Sequence, residues 1–160
     1  MRMWLLQERV RASGLSLLCD SRKDSKVSQR REKIFMSENE IAKIAVNICF
    51  NIHKEYGPGL FESVYEGIFV YEWQKTNIPF MHQQGIKVIH RGIDMGFGFI
   101  PDMVIDNKLI LEFKSVETLA EVHYKQLLTY LRITGIKLGL LINFNVPLIK
   151  NGLHRIVNNL

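Results

Sequence analysis

Asp102, Glu112 and Lys114 are the residues of this sequence whose types and spacing could do chemistry. Pro101-Asp102 is followed ten residues after the Asp by Glu112-Phe113-Lys114, and both segments lie among apolar, strand-forming residues. Glu112 and Lys114 are two apart on one predicted strand, so they share a face, and Phe113 points the other way, toward a core. A hairpin turn at Asp106-Asn107-Lys108 would set Asp102 on the neighbouring strand. Two carboxylates and an ammonium would then converge on one side of a sheet. Phosphodiester hydrolysis asks for such a set, because negative charge builds on the phosphoryl oxygens while a water attacks. Hard oxygen ligands hold Mg²⁺ or Mn²⁺, and such an ion polarises the phosphate and acidifies water. A lysine beside it can orient that water or stabilise the developing charge. The backbone carbonyl of Phe113 is a further oxygen. Singly, each piece is ordinary: Glu-x-Lys decorates many exposed strands and Pro-Asp begins many turns. The ordered pair across a hairpin is more specific.

The elements that must position these groups begin at Ser37. Ser37-Glu38-Asn39-Glu40 has the form of a capping box, and Ile41, Ile44, Ala45, Ile48 and Ile52 recur at helical spacing. That helix should reach about Glu55 and stop at Gly57-Pro58-Gly59, whose glycines read as turn residues. A second helix from about Leu60 is expected to carry Val64, Ile68 and Tyr71 on one face and to end before Asn77-Ile78-Pro79. Strands are expected over Gly85–His90, Phe97–Ile105 and Leu109–Ser115, then a helix over Leu119–Ile133 capped by Thr134-Gly135. The apolar run Leu138–Ile142 reads as a buried strand and His154–Val157 as a short last one. A hairpin followed by a helical crossover into another strand predicts an α/β (α+β) fold with a mixed central sheet flanked by helices.

Composition sets the outer bounds. The 160 residues suffice for one domain with a core, and no apolar run approaches the roughly 18 residues of a membrane span. The net charge of +5 is unevenly placed: residues 1–35 hold nine Lys/Arg and four Asp/Glu, and residues 36–160 hold twelve of each. The basic balance therefore says nothing about the predicted domain at 36–160, where an anion site must be a local patch. Residues 1–35 lack a sustained apolar stripe and read as a dispensable extension, with Met36 a plausible natural start. Cys19 and Cys49 lack zinc or disulfide spacing, and Cys49 falls in the apolar pattern of the first helix. A reducing cytoplasm is the expected compartment.

Beyond the strand motif, Gly59-Leu60-Phe61-Glu62-Ser63-Val64-Tyr65 resembles the signature of the GxxExxY proteins, which are assigned to the PD-(D/E)XK nuclease superfamily. The similarity runs from about Ser37 to the C-terminus. It takes in His53 to Leu60, Leu140-Leu141-Ile142-Asn143-Phe144 and Lys150 to Arg155. It implies a restriction-endonuclease-like core, metal ligation by Asp102, Glu112 and the Phe113 carbonyl, and a catalytic Lys114. It also nominates Glu62 as an acidic residue reaching metal directly or through water. Its plainer reading is a helix-start carboxylate favoured by the dipole. Tyr65 shares a helical face with Glu62 and is either substrate-positioning or a packed aromatic. Gln126 to Tyr130 resembles a Q-x-x-x-Y motif of exonuclease branches. His123, Gln126 and Tyr130 share a helical face, and the resemblance makes them substrate-positioning residues rather than polar decoration. Lys125 is read as solvated, and His53, His82 and His90 as structural.

The leading expectation is a Mg²⁺- or Mn²⁺-dependent nuclease acting on nucleic acid, DNA in preference to RNA, without membrane attachment. The rivals are a non-catalytic nucleic-acid-binding module and a protein-interaction domain, the latter favoured if Trp73 is exposed. Specific metal binding abolished by carboxylate substitution separates the first from both.

Overall fold

The structure is a computed structural model and describes residues 35–160; the expectation that residues 1–35 are dispensable falls almost wholly outside that range. Helix α1 spans Glu38–Tyr56. Its start is fixed as the sequence implies: the Glu40 amide donates to the Ser37 hydroxyl at 3.3 Å, and the Ser37 amide donates back to the Glu40 carboxylate at 2.7 Å. It buries Ile41, Ala45, Cys49 and Ile52 and ends at Gly57, whose φ of 67° suits glycine.

Helix α2 spans Glu62–Gln74, and its buried face is Tyr65, Glu66, Phe69 and Trp73. The face grouped by periodicity is not the buried one, since Val64 and Tyr71 are exposed. Apolar residues occupy most of the circumference of this helix, so periodicity does not select a face, and the larger aromatic surface is the one that gains most from burial. Trp73 is fully buried, which removes the support an exposed Trp73 would have lent to a protein-interaction role.

Five strands form a mixed sheet in the order β1-β4-β5-β6-β7: Phe80–His82, Met103–Ile105, Leu109–Lys114, Leu138–Asn143 and Leu153–Val157. β4 and β5 pair antiparallel across a tight turn in which Asp106 and Asn107 have φ of 46° and 52°. The Lys108 amide closes the turn on the Ile105 carbonyl at 2.8 Å. Positive φ at both central residues is the type I′ pattern that matches strand twist. β5 runs parallel to β6, which requires a crossover; helix α3, Glu121–Thr134, supplies it and ends on left-handed Gly135. β7 returns antiparallel along β6.

The single strand expected over Phe97–Ile105 is two. β2 (Ile86–His90) and β3 (Ile93–Phe99) form a separate two-stranded ribbon, and β4 starts only at Met103. The break falls at Ile100-Pro101-Asp102, where proline cannot donate to a ladder. The three-residue edge strand β1 went unanticipated because Phe80–His82 is too short to show a period.

The two sheet faces pack differently. Leu109, Leu111 and Phe113 of β5 join α1 and α2 in a cluster that includes Tyr65, Phe69, Trp73 and Phe144. Ile110 turns to the smaller cluster under α3, with Val104, Leu127, Tyr130 and Leu141. Among the described residues no helix is long and apolar enough to cross a membrane.

Candidate active site

Met103 lies opposite Leu111 in the β4–β5 ladder, so Asp102, one residue earlier, comes level with Glu112. Residues level across an antiparallel pair carry side chains on the same face. Asp102 is gripped by β5, its Oδ2 accepting from the Phe113 amide at 2.7 Å. Glu112 is buried, and its Oε1 has no hydrogen-bond partner. Burial pushes the Glu112 carboxyl up to about 8, helped by the charge of Asp102. Burial likewise lifts Asp102 to about 6, against the pull of the Phe113 amide and Lys114. These are two carboxylates short of positive charge, which is what a divalent cation would relieve.

Lys114 supplies part of that charge. Its Nζ donates to the Phe113 carbonyl at 2.5 Å and to Glu62 Oε1 at 3.2 Å, and lies 3.9 Å from Glu112 Oε2. Burial opposes its ammonium, but Asp102, Glu62 and Glu112 outweigh burial and its pKa is raised. Glu62 opens α2 and reaches across to β5, its Oε2 also accepting from the Ser115 amide at 3.3 Å. It is both a helix-start carboxylate and a member of this cluster. Among the described residues no three His, Cys, Asp or Glu side chains form a cage for an ion. The donor set is instead the buried Glu112 and half-buried Asp102 carboxylates plus the Phe113 carbonyl, all oxygen and suited to a hard cation.

The remaining nominated residues divide. Gln126 donates to the Tyr130 hydroxyl, and Tyr130 stacks on Phe99 with ring centres 3.9 Å apart. Burial raises the Tyr130 phenol, and the charges of Glu112 and Asp102 add to it, so this end of α3 borders the carboxylates. His123 turns to its own helix, its Nδ1 accepting from the Ala120 amide at 3.2 Å. Tyr65 is the packed aromatic of its two readings. It is fully buried and stacks on Phe144 at 4.3 Å, while its hydroxyl donates to the Gly57 carbonyl at 2.5 Å and accepts from the Leu60 amide at 3.2 Å. It holds the turn that leads into Glu62. Lys125 is exposed and pairs with Glu121 at 3.0 Å.

Three residues passed over in the sequence support the site. Buried Asn143 holds both the amide and the carbonyl of Val116, at 3.1 and 2.8 Å, fixing the chain just beyond Lys114. The Ser115 hydroxyl donates to the Leu60 carbonyl at 2.7 Å. Glu66 is a buried carboxylate one helical turn after Glu62. A charged residue at i+4 from a nominated acid was the signal for Glu66; polar residues ending an apolar strand were the signal for the other two.

A family model for the PD-(D/E)XK nuclease superfamily matches residues 39–156, a span that contains every residue of this cluster. No curated protein and no solved structure gave a match.

Proposed function

Since the chain belongs to the PD-(D/E)XK nuclease superfamily, we propose that it hydrolyses phosphodiester bonds of nucleic acid with a divalent metal at Asp102 and Glu112. The observation that carries this reading is a pair of charge-deficient carboxylates, Glu112 buried with an unpartnered oxygen and Asp102 half-buried, beside the Lys114 ammonium. Mg²⁺ or Mn²⁺ would be held by Asp102, Glu112 and the Phe113 carbonyl, with Glu62 contributing directly or through water. When bound, such an ion supplies Lewis acidity toward phosphoryl oxygens and makes water easier to deprotonate.

The chain's own groups do the rest. The Phe113 amide holds Asp102 in place, and Glu62 anchors the Lys114 ammonium at the mouth of the carboxylate pair. From there Lys114 orients the attacking water or takes up charge developing on the phosphoryl group. Gln126 and Tyr130, joined to each other, orient the substrate at the α3 side. DNA is the favoured substrate, the GxxExxY proteins the favoured branch, and the cytoplasm the favoured compartment.

The decisive experiment incubates the protein with single-stranded, double-stranded and branched DNA and with RNA, with Mg²⁺, Mn²⁺ or EDTA, beside Asp102→Asn. Cleavage that needs the metal and vanishes in the variant is expected. Specific nucleic-acid binding without cleavage under all conditions would favour the non-catalytic module.

A further inference from the structure

Glu66 makes no hydrogen bond to Asp102, Glu112, Lys114 or Glu62, yet it is a buried carboxylate whose charge is felt by Asp102. Its Oε1 accepts from His82 Nε2 at 2.8 Å and from Gln83 Nε2 at 2.9 Å, and its Oε2 receives the same amide at 3.1 Å. Gln83 directly follows β1 and holds a left-handed φ of 46°, which a non-glycine residue adopts at a cost. Its backbone amide donates to the carbonyl of Asp102 at 3.0 Å. Asp102 is therefore held from both sides: its carboxylate by β5 through the Phe113 amide, its carbonyl by the end of β1 through Gln83.

We infer that Glu66 is a positioning residue for Asp102, acting through Gln83. The side-chain grip of Glu66 keeps Gln83 in its strained conformation, and that conformation aims the Gln83 amide at the peptide preceding β4. Asp102 sits at the break between β3 and β4, where this bond and the Phe113 amide tie it down just before the ladder begins at Met103. α2 thus offers carboxylates one turn apart to different strands, Glu62 toward β5 and Glu66 toward β1.

The inference rests on Asp102 being a metal ligand, and two readouts keep its failure separate from the failure of that reading. Hydrogen exchange at the Gln83 amide reports the grip without metal, and calorimetric Mn²⁺ binding reports its consequence. Glu66→Ala should speed exchange at Gln83 and weaken Mn²⁺ binding about tenfold to a hundredfold, the range for groups that orient metal ligands. Glu66→Gln keeps an oxygen that accepts from Gln83 and should preserve most of both. Gln83→Gly removes the grip while relieving the positive φ. It should weaken Mn²⁺ binding without lowering the melting temperature, a split that a merely structural role would not give. The Glu66→Ala, Gln83→Gly double variant should lose no more affinity than the worse single one, because both act along one route. Unchanged Gln83 exchange in Glu66→Ala overturns the inference, as does equal loss of affinity in Glu66→Gln and Glu66→Ala, which would mean Glu66 acts by charge alone. Wild-type protein that binds no Mn²⁺ overturns the metal reading instead, while the exchange arm still tests the grip.

Discussion

The two faces of the central sheet are built from the same strands, yet they are held to different standards. On the α1/α2 side, β5 contributes Leu109, Leu111 and Phe113 to a cluster whose aromatic rings pack closely, with Phe69 tilted 5.0 Å from Phe113 and stacked 5.7 Å from Trp73. On the α3 side the alternate residues are Ile110, Glu112 and Lys114, and the apolar cluster stops where the charges begin. One face is optimised for burial; the other keeps two carboxylates where burial works against their charge. Residues on the first face should be readable in stability and residues on the second in function, often with opposite signs.

The largest expected effect is on the charged side. Asp102→Asn and Lys114→Met should each lower cleavage by roughly a thousandfold or more, as expected when a metal ligand or a charge-stabilising donor is removed. Only Asp102→Asn should also weaken Mn²⁺ binding, and Glu62→Gln should fall between it and wild type. Neither Asp102→Asn nor Lys114→Met should unfold the protein, and the metal-free Asp102→Asn variant should melt no lower than wild type at pH 8, having lost the repulsion with Glu112. Undiminished cleavage by either would reject the assignment.

Phe69→Ala tests the opposite face. It should cost about 3–5 kcal/mol of stability, the usual penalty for emptying a buried aromatic site, measured by urea unfolding. Metal affinity of the fraction that remains folded should be unchanged.

Changing pH sharpens the contrast without mutation. Asp102 and Glu112 have folded values of about 6 and about 8, above their ordinary 3.8 and 4.5. The folded state therefore holds these protons more tightly than the unfolded chain. Their contribution to stability is complete below pH 4 and is lost as the pH rises through 6 and then 8. The raised value of Lys114 acts only in the alkaline range and leaves this window untouched. Metal-free protein should lose on the order of a few kcal/mol between pH 4.5 and 8.5, and millimolar Mg²⁺ should restore stability at the upper end. Thermal melts with and without EDTA check both signs; flat stability across the window would mean that the carboxylates are not strained by burial.

The smallest effect should come from Tyr65→Phe, which deletes the hydroxyl holding the Gly57 carbonyl and Leu60 amide. Roughly 1–2 kcal/mol of stability should be lost, with KM for an oligonucleotide unchanged. A raised KM at full stability would return Tyr65 to the substrate.

The charged face was more legible in the sequence than the apolar one. Asp102, Glu112 and Lys114 were found because strand alternation and a short turn are local rules, and the type I′ geometry at Asp106-Asn107 obeys them. Periodicity put Val64, Ile68 and Tyr71 on one face of α2, yet of these only Ile68 packs against the core; Tyr65, Phe69 and Trp73 are as apolar in type, and only tertiary packing chooses between the two sets. The break at Ile100-Pro101-Asp102 was hidden inside an apolar run, although its proline was the available clue. Glu66 and Asn143 escaped because their partners lie far away in sequence. Gln83 is 17 residues from Glu66, and Val116 is 27 from Asn143.

The three-residue turn between β4 and β5, Asp106 to Lys108, has a consequence for what this chain can tolerate. Strand side chains alternate with a period of two, so a one-residue slip in pairing exchanges the faces. Inserting or deleting a single residue between Ile105 and Leu109 risks such a slip. Glu112 and Lys114 would then turn toward the aromatic cluster, and Phe113 would turn into the cleft. Loops elsewhere can drift in length over evolutionary time or under engineering; here the count of residues is itself part of the chemistry.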